Sequence, residues 1–142
     1  ACQFAECHQT LLQELDDLQA WIREADEYGD PQFGQLGDRV TTLERYLAEH
    51  FALEEEGGYM AEPLAAAPQF AARVAELQAE HPRMLSALHN LGQKLKDCPA
   101  PFNCWSEARN ELQGALDVLS RHEHAENEIW QLAFERDVGP GD

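Results

Sequence analysis

A chain of 142 residues and 16.0 kDa is one domain's worth, long enough to bury a core without cross-links. Its 27 acidic and 10 basic residues give a formal net charge of −17, which argues against a nucleic-acid backbone or an anionic membrane surface as partner and favours cations. No apolar run approaches a membrane span, the first residues lack the charged and apolar regions of a signal peptide, and Cys2, Cys7, Cys98 and Cys104 fit neither a disulfide scaffold nor a thiolate zinc site, so a reduced, cytoplasmic setting is expected.

Phe4, His8, Leu11, Leu15, Leu18 and Ile22 recur in steps of three and four, the seam of an amphipathic helix over roughly 3–28. Three glycines and Pro31 break the pattern across 29–37, and Asp38 is placed to cap the next helix. Val40, Leu43, Leu47, His50 and Glu54 form the second seam, over roughly 38–56, which Gly57-Gly58 stops. Pro63 and Pro68 bracket a loop before Phe70, Val74, Leu77, His81, Met84, Leu88, Leu91 and Leu95 give a third helix over roughly 69–96. The prolines of 97–104 interrupt it, and Leu112, Ala115, Leu119, His122, Glu126, Ile129 and Ala133 mark a fourth over roughly 105–136. Nothing reads as a strand. Four long helices with short connections predict a single all-α domain over 1–142, an antiparallel up-down-up-down bundle. The chain begins without Met, as a trimmed or excised domain does.

His50 and Glu54 stand four apart on the second helix, and His122 and Glu126 repeat the pair on the fourth. Such residues differ by ~40° around the axis and ~6 Å along it, so each pair aims an imidazole and a carboxylate at one point. The seams add His8 and His81, so every helix contributes one core-facing histidine, and in an up-down-up-down bundle all four reach one level. A single such histidine would be read as a satisfied core residue. Four with two glutamates are read as a metal site, because a bound cation removes the cost of burying the carboxylates. His124 and Glu128 are also four apart, but Asp117, Arg121, Gln131 and Glu135 put them on a solvated face, and His89 is rotated ~80° from His81. Mixed imidazole and carboxylate donors suit iron, manganese or zinc, and six side chains suit two ions better than one. No histidine follows an acidic residue at the Glu-x-x-His spacing of ferritin-like carboxylate sites.

Cys7-His8 in the first helix, His50-x3-Glu54-Glu55 in the second, Glu80-His81 in the third and His122-x3-Glu126 with Ile129-Trp130 in the fourth resemble the hemerythrin-like proteins of the HHE cation-binding type. The resemblance covers almost the whole chain. It implies a four-helix bundle holding two iron ions, with an oxo, hydroxo or water bridge, ligated by His8, His50, His81 and His122 and bridged by Glu54 and Glu126. Leu85 and Asn127 stand where oxygen-carrying hemerythrins have a further histidine and an acidic residue, which leaves one iron an open position or a substitute such as Tyr46 or Glu55.

The function expected from this is binding or sensing of a small diatomic ligand, dioxygen or nitric oxide, in a site walled by Phe51, Met84, Leu85 and Trp130. A di-iron redox enzyme acting on peroxide or nitric oxide, or repairing iron centres, is the alternative. An iron-responsive interaction domain is a third. No protein partner is indicated. Cys7 is either a redox reporter or an inert packed thiol, and Cys98 and Cys104 are placed for a local disulfide far from the site.

Overall fold

The computed structural model describes residues 4–28, 33–97 and 101–138. Four long helices, α1 (Phe4–Tyr28), α2 (Phe33–Gly57), α4 (Ala71–Asp97) and α5 (Pro101–Val138), form an all-α bundle. A short α3 (Ala61–Ala66) and a 3-10 turn (Pro68–Phe70) connect α2 to α4. There is no strand among the described residues.

The cross-helix pairs fix the directions. Helices α1 and α2 meet where the His8 and His50 rings lie 5.6 Å apart and where Arg39 sits 4.9 Å over Trp21. Helices α2 and α4 meet at Glu54 and His81, 3.2 Å apart, and at Glu44 and His89, 3.5 Å apart. Helices α4 and α5 pair Glu80 with His122 and Lys94 with Glu111. Helices α1 and α5 pair His8 with Glu123 and Asp26 with Arg109. In every case one residue number rises as the other falls, so each long helix runs antiparallel to both neighbours.

The apolar seams interdigitate in two clusters. The larger contains Leu11, Leu18, Leu43, Leu47, Leu88 and Leu112, with Phe51 and Met84 at one end. The smaller contains Met60, Val74, Leu77 and Ile129, with Tyr59 and Trp130 packed against it. Along α4, His81 lies between Leu77 of one cluster and Met84 of the other; along α5, His122 and Glu126 lie between Leu119 and Ile129. The polar layer is therefore closed by hydrocarbon above and below. That arrangement raises the cost of every charge inside it.

Several boundaries differ from those the sequence predicts. Helix α2 begins by Phe33, so Asp38 is an exposed residue inside the helix and not its cap. Burial of Leu36 and the packing of Gly37, whose Cβ position lies 3.7 Å from Leu95, outweigh the ~1 kcal/mol that each helical glycine costs. The Pro63–Pro68 stretch is a helical turn followed by a 3-10 turn, where a loop is expected. Both prolines fall in first turns, where the missing N–H has no intrahelical acceptor. Pro101 likewise opens α5, so residues 101–104 are helical. Pro82 stands inside α4 with its ring exposed, next to His81, and removes one backbone donor from the ladder there. The cysteine expectations fall outside the described side chains.

Candidate metal centre

Helix α2 ends one turn after Glu54 because Gly58 adopts a left-handed φ of 64°. The Tyr59 N–H then donates to the Glu54 carbonyl at 3.1 Å, the closing bond of a Schellman motif. This stop folds the chain back over the bundle end and brings Tyr59 and Met60 onto the polar layer.

Six side chains expected from the sequence and one that was not are gathered in that layer. Glu54 sits at its centre: one carboxylate oxygen is 3.0 Å from His50 Nε2 and the other is 3.2 Å from His81 Nε2. On one side of it, Glu123 places one oxygen 2.9 Å from His8 Nδ1 and the other 3.6 Å from His50 Nε2. On the other side, His122 Nε2 lies 2.8 Å from Glu126 and 3.2 Å from His81 Nε2. Two groups of donors result, His8, His50 and Glu123, and Glu54, His81, His122 and Glu126, each with ligand atoms within 4.8 Å of one another. All but His8 are buried; His8 keeps 25 % of its side chain exposed.

The two α4/α5 imidazoles are held from outside by carboxylates. Glu55 contacts His81 Nδ1 at 3.0 Å and Glu80 contacts His122 Nδ1 at 2.9 Å. When each Nδ1 donates outward, the Nε2 lone pair is turned to the interior, which is the tautomer a ligand needs. Phe51 stacks on His81 with centroids 3.7 Å apart and meets His122 edge-on at 5.6 Å, fixing both ring planes. Glu80→Gln is therefore expected to weaken metal binding about 10- to 100-fold with the helix content unchanged, read by competition against a chelator. Unchanged affinity would make Glu80 a surface residue that happens to touch His122.

Electrostatically the layer is an array of mutually compensating charges. Burial pushes the His50 imidazole down, but Glu123 and Glu54 overcome it and raise it to about 9. His122 is likewise opposed by burial and raised to about 9 by Glu126 and Glu80. Glu54 is pushed up by burial and brought down to about 2 by His50 and His81. Glu126 goes the other way: burial, then the nearby charges of Glu54 and Glu123, outweigh His122 and hold it up at about 7. Burial and the same three carboxylates raise the Tyr59 hydroxyl. Once the imidazoles give up their protons, three glutamates within one desolvated layer leave an excess of negative charge that a cation would neutralise.

The donor directions fit a cation as well. Both oxygens of Glu54, both of Glu123 and one of Glu126 are buried without a hydrogen bond of ordinary geometry, although imidazole nitrogens stand close by. Lone pairs near one another but not aimed at each other's protons are suited to ions between them.

The structure brings together His8, His50, Glu54, His81, His122 and Glu126, and leaves His124 exposed and His89 paired with Glu44. Tyr46 is half-buried outside both groups, and Leu85 packs on the larger apolar cluster. Glu55 reaches the outer nitrogen of His81. The donor missed from the sequence is Glu123. Its signal was present: Leu112, Leu116, Leu119, Glu123, Glu126, Trp130 and Ala133 advance in strict steps of four and three, so a second stripe through Leu116 carries an acid into the core. The seam through Ala115 and His122 concealed it.

The family model for the hemerythrin HHE cation binding domain matches residues 3–132. Neither a curated protein nor a solved structure gives a significant match.

Proposed function

The chain belongs to the hemerythrin HHE cation-binding family, and from that premise we propose that it is a non-haem di-iron protein that binds or senses dioxygen or nitric oxide. The observation that carries the reading is Glu54, with one oxygen toward His50 and the other toward His81. A carboxylate facing two donor groups in this way would serve two cations in one layer. One ion would be held by His8, His50 and Glu123, the other by His81, His122 and Glu126, with Glu54 shared between them. Bound ferrous iron would supply reversible electron donation to a diatomic ligand.

The protein's own part is positioning and exclusion of water. Two imidazoles and one carboxylate on each side leave coordination positions for a small ligand. Phe51 covers His81 and His122 from within the larger cluster, and the stacked pair of Tyr59 and Trp130, centroids 4.8 Å apart, lies toward the smaller one. The expected walls Met84 and Leu85 contribute to the apolar packing on the Phe51 side. Such a lining admits an apolar diatomic more readily than bulk water. Loaded anaerobically with ferrous iron, the protein should develop new near-ultraviolet and visible absorption when dioxygen or nitric oxide is admitted. A spectrum that stays unchanged with both gases would sink the reading.

A redox enzyme is the second reading, favoured by the two histidines and one carboxylate that stand on either side of the shared Glu54, a donor pattern used by ferrous oxygen-activating sites. Steady consumption of peroxide or nitric oxide beyond that of free iron would select it over reversible binding. Reversal of the spectral change on degassing would select the carrier or sensor.

A further inference from the structure

Between α4 and α5 the bundle is open along a groove of about 980 Å³. Its floor is apolar, formed by Leu47, Met84, Leu88, Leu116 and Leu119. It runs from the level of Glu80 and His122 to that of Lys94 and Glu111. Fourteen residues of α4 separate Glu80 from Lys94, so the groove is about 20 Å long at the helical rise. Midway, Gly114 is exposed, with nothing within 4 Å of the position a Cβ would take. The mouth of the groove is therefore open there, with Ala87 and Val118 exposed beside it and the floor side chains almost wholly buried beneath, in a volume typical of small-molecule sites.

The charge of its rim is opposite to that of the chain. The whole sequence has 27 acidic residues to 10 basic, yet the groove is lined by Arg73, Arg83, Lys94 and Arg121 against Glu80 and Glu111. Both acids are engaged, Glu80 by His122 and Glu111 by Lys94. Arg73 is engaged by Glu76 at 3.2 Å. Arg83 and Arg121 have no charged partner among the described residues. Arg83 stands one turn after Glu80 on α4 and Arg121 directly before His122 on α5, so both rise from the end of the groove where Glu80 and His122 touch.

We propose that this groove binds an amphipathic carboxylate, with a long apolar body along the Leu88–Leu116 floor and its carboxylate between Arg83 and Arg121. The apolar length supplies area removed from water, and the two guanidinium groups select an anion by planar, bidentate hydrogen bonding. In a chain this acidic, two arginines without acidic partners beside one apolar slot are the complement of such a headgroup.

Dodecanoate is a suitable probe, titrated calorimetrically into the full chain below its micellar concentration, with dodecyltrimethylammonium and acetate as controls. One saturable dodecanoate site is expected, with at least tenfold weaker binding of the cationic analogue and none of acetate. Arg83→Gln with Arg121→Gln should weaken dodecanoate at least tenfold. Gly114→Leu should do the same by filling the groove, and because leucine favours helix over glycine the bundle should stay folded by circular dichroism. Equal binding of the cationic analogue, or unchanged binding in both variants, would overturn the proposal. So would absence of dodecanoate binding together with a dimer that Gly114→Leu dissociates, which would make the groove an interface between copies.

Discussion

Glu54→Gln is expected to bring the protein from about two bound metal ions per chain to none, whereas Glu123→Gln should leave about one. The difference follows from position. Glu54 offers an oxygen to each donor group, at 3.0 Å from His50 and 3.2 Å from His81, so an amide there puts a non-ligating NH2 into one group and leaves a neutral oxygen in the other. Glu123 serves only the His8 and His50 side, so its loss leaves Glu54, His81, His122 and Glu126 intact. Metal per chain, measured by plasma mass spectrometry after loading and desalting, separates the cases. Two ions retained in Glu123→Gln would reduce Glu123 to a hydrogen-bonding neighbour of His8 and His50. Full loading of Glu54→Gln would dismiss the shared-carboxylate arrangement. Both variants should keep their helices, because the apolar cluster of Leu47, Leu88, Leu112 and Leu119 lies outside the polar layer.

Metal affinity is expected to climb steeply between pH 7 and pH 9, with protons released on binding. His50 and His122, each raised to about 9, carry a proton at neutral pH in the metal-free protein and must lose it to ligate. Each proton displaced makes the affinity rise about tenfold per pH unit, so the two together set an upper slope of about 100-fold per unit. Affinity that is flat from pH 7 to 9 would mean that the two imidazoles are already neutral before the metal arrives. The same charges shape the stability of the metal-free protein. His50 and His122 have folded values above the ordinary 6.5, so their contribution is complete below pH 6.5 and is lost as pH rises through about 9. Glu54, lowered from 4.5 to about 2, contributes above pH 4.5 and loses that contribution as pH falls through about 2. Glu126, raised to about 7, favours the folded state below pH 4.5, and that advantage is gone above pH 7. Melting temperatures of the metal-free protein should therefore fall on the alkaline side. The metal-loaded protein, whose imidazoles are already deprotonated, should not show that loss.

The sequence by itself determined the fold class and the helical address of each expected donor. A helix of period 3.6 buries one stripe, so the steps of Leu11, Leu18 and Ile22, or of Leu77, Met84 and Leu88, say which face turns inward whatever the neighbours are. The i,i+4 offset likewise places His50 with Glu54 and His122 with Glu126 from local geometry alone. Helix starts were less legible, because Leu36 and Gly37 pack against the bundle early in α2 despite the glycines there, and Pro101 falls in the first turn of α5, where its missing N–H has no intrahelical acceptor. What only the tertiary structure decided is how the donors divide. Two stripes of α5, one through His122 and one through Glu123, differ by a single residue, and which faces His8 and which faces His81 depends on where α1 and α4 stand around it. The outer contacts of Glu55 and Glu80 and the return of Tyr59 over the site are of the same kind. Periodicity records the distance of a side chain from the bundle axis but not its neighbour across it, and ligation depends on the neighbour.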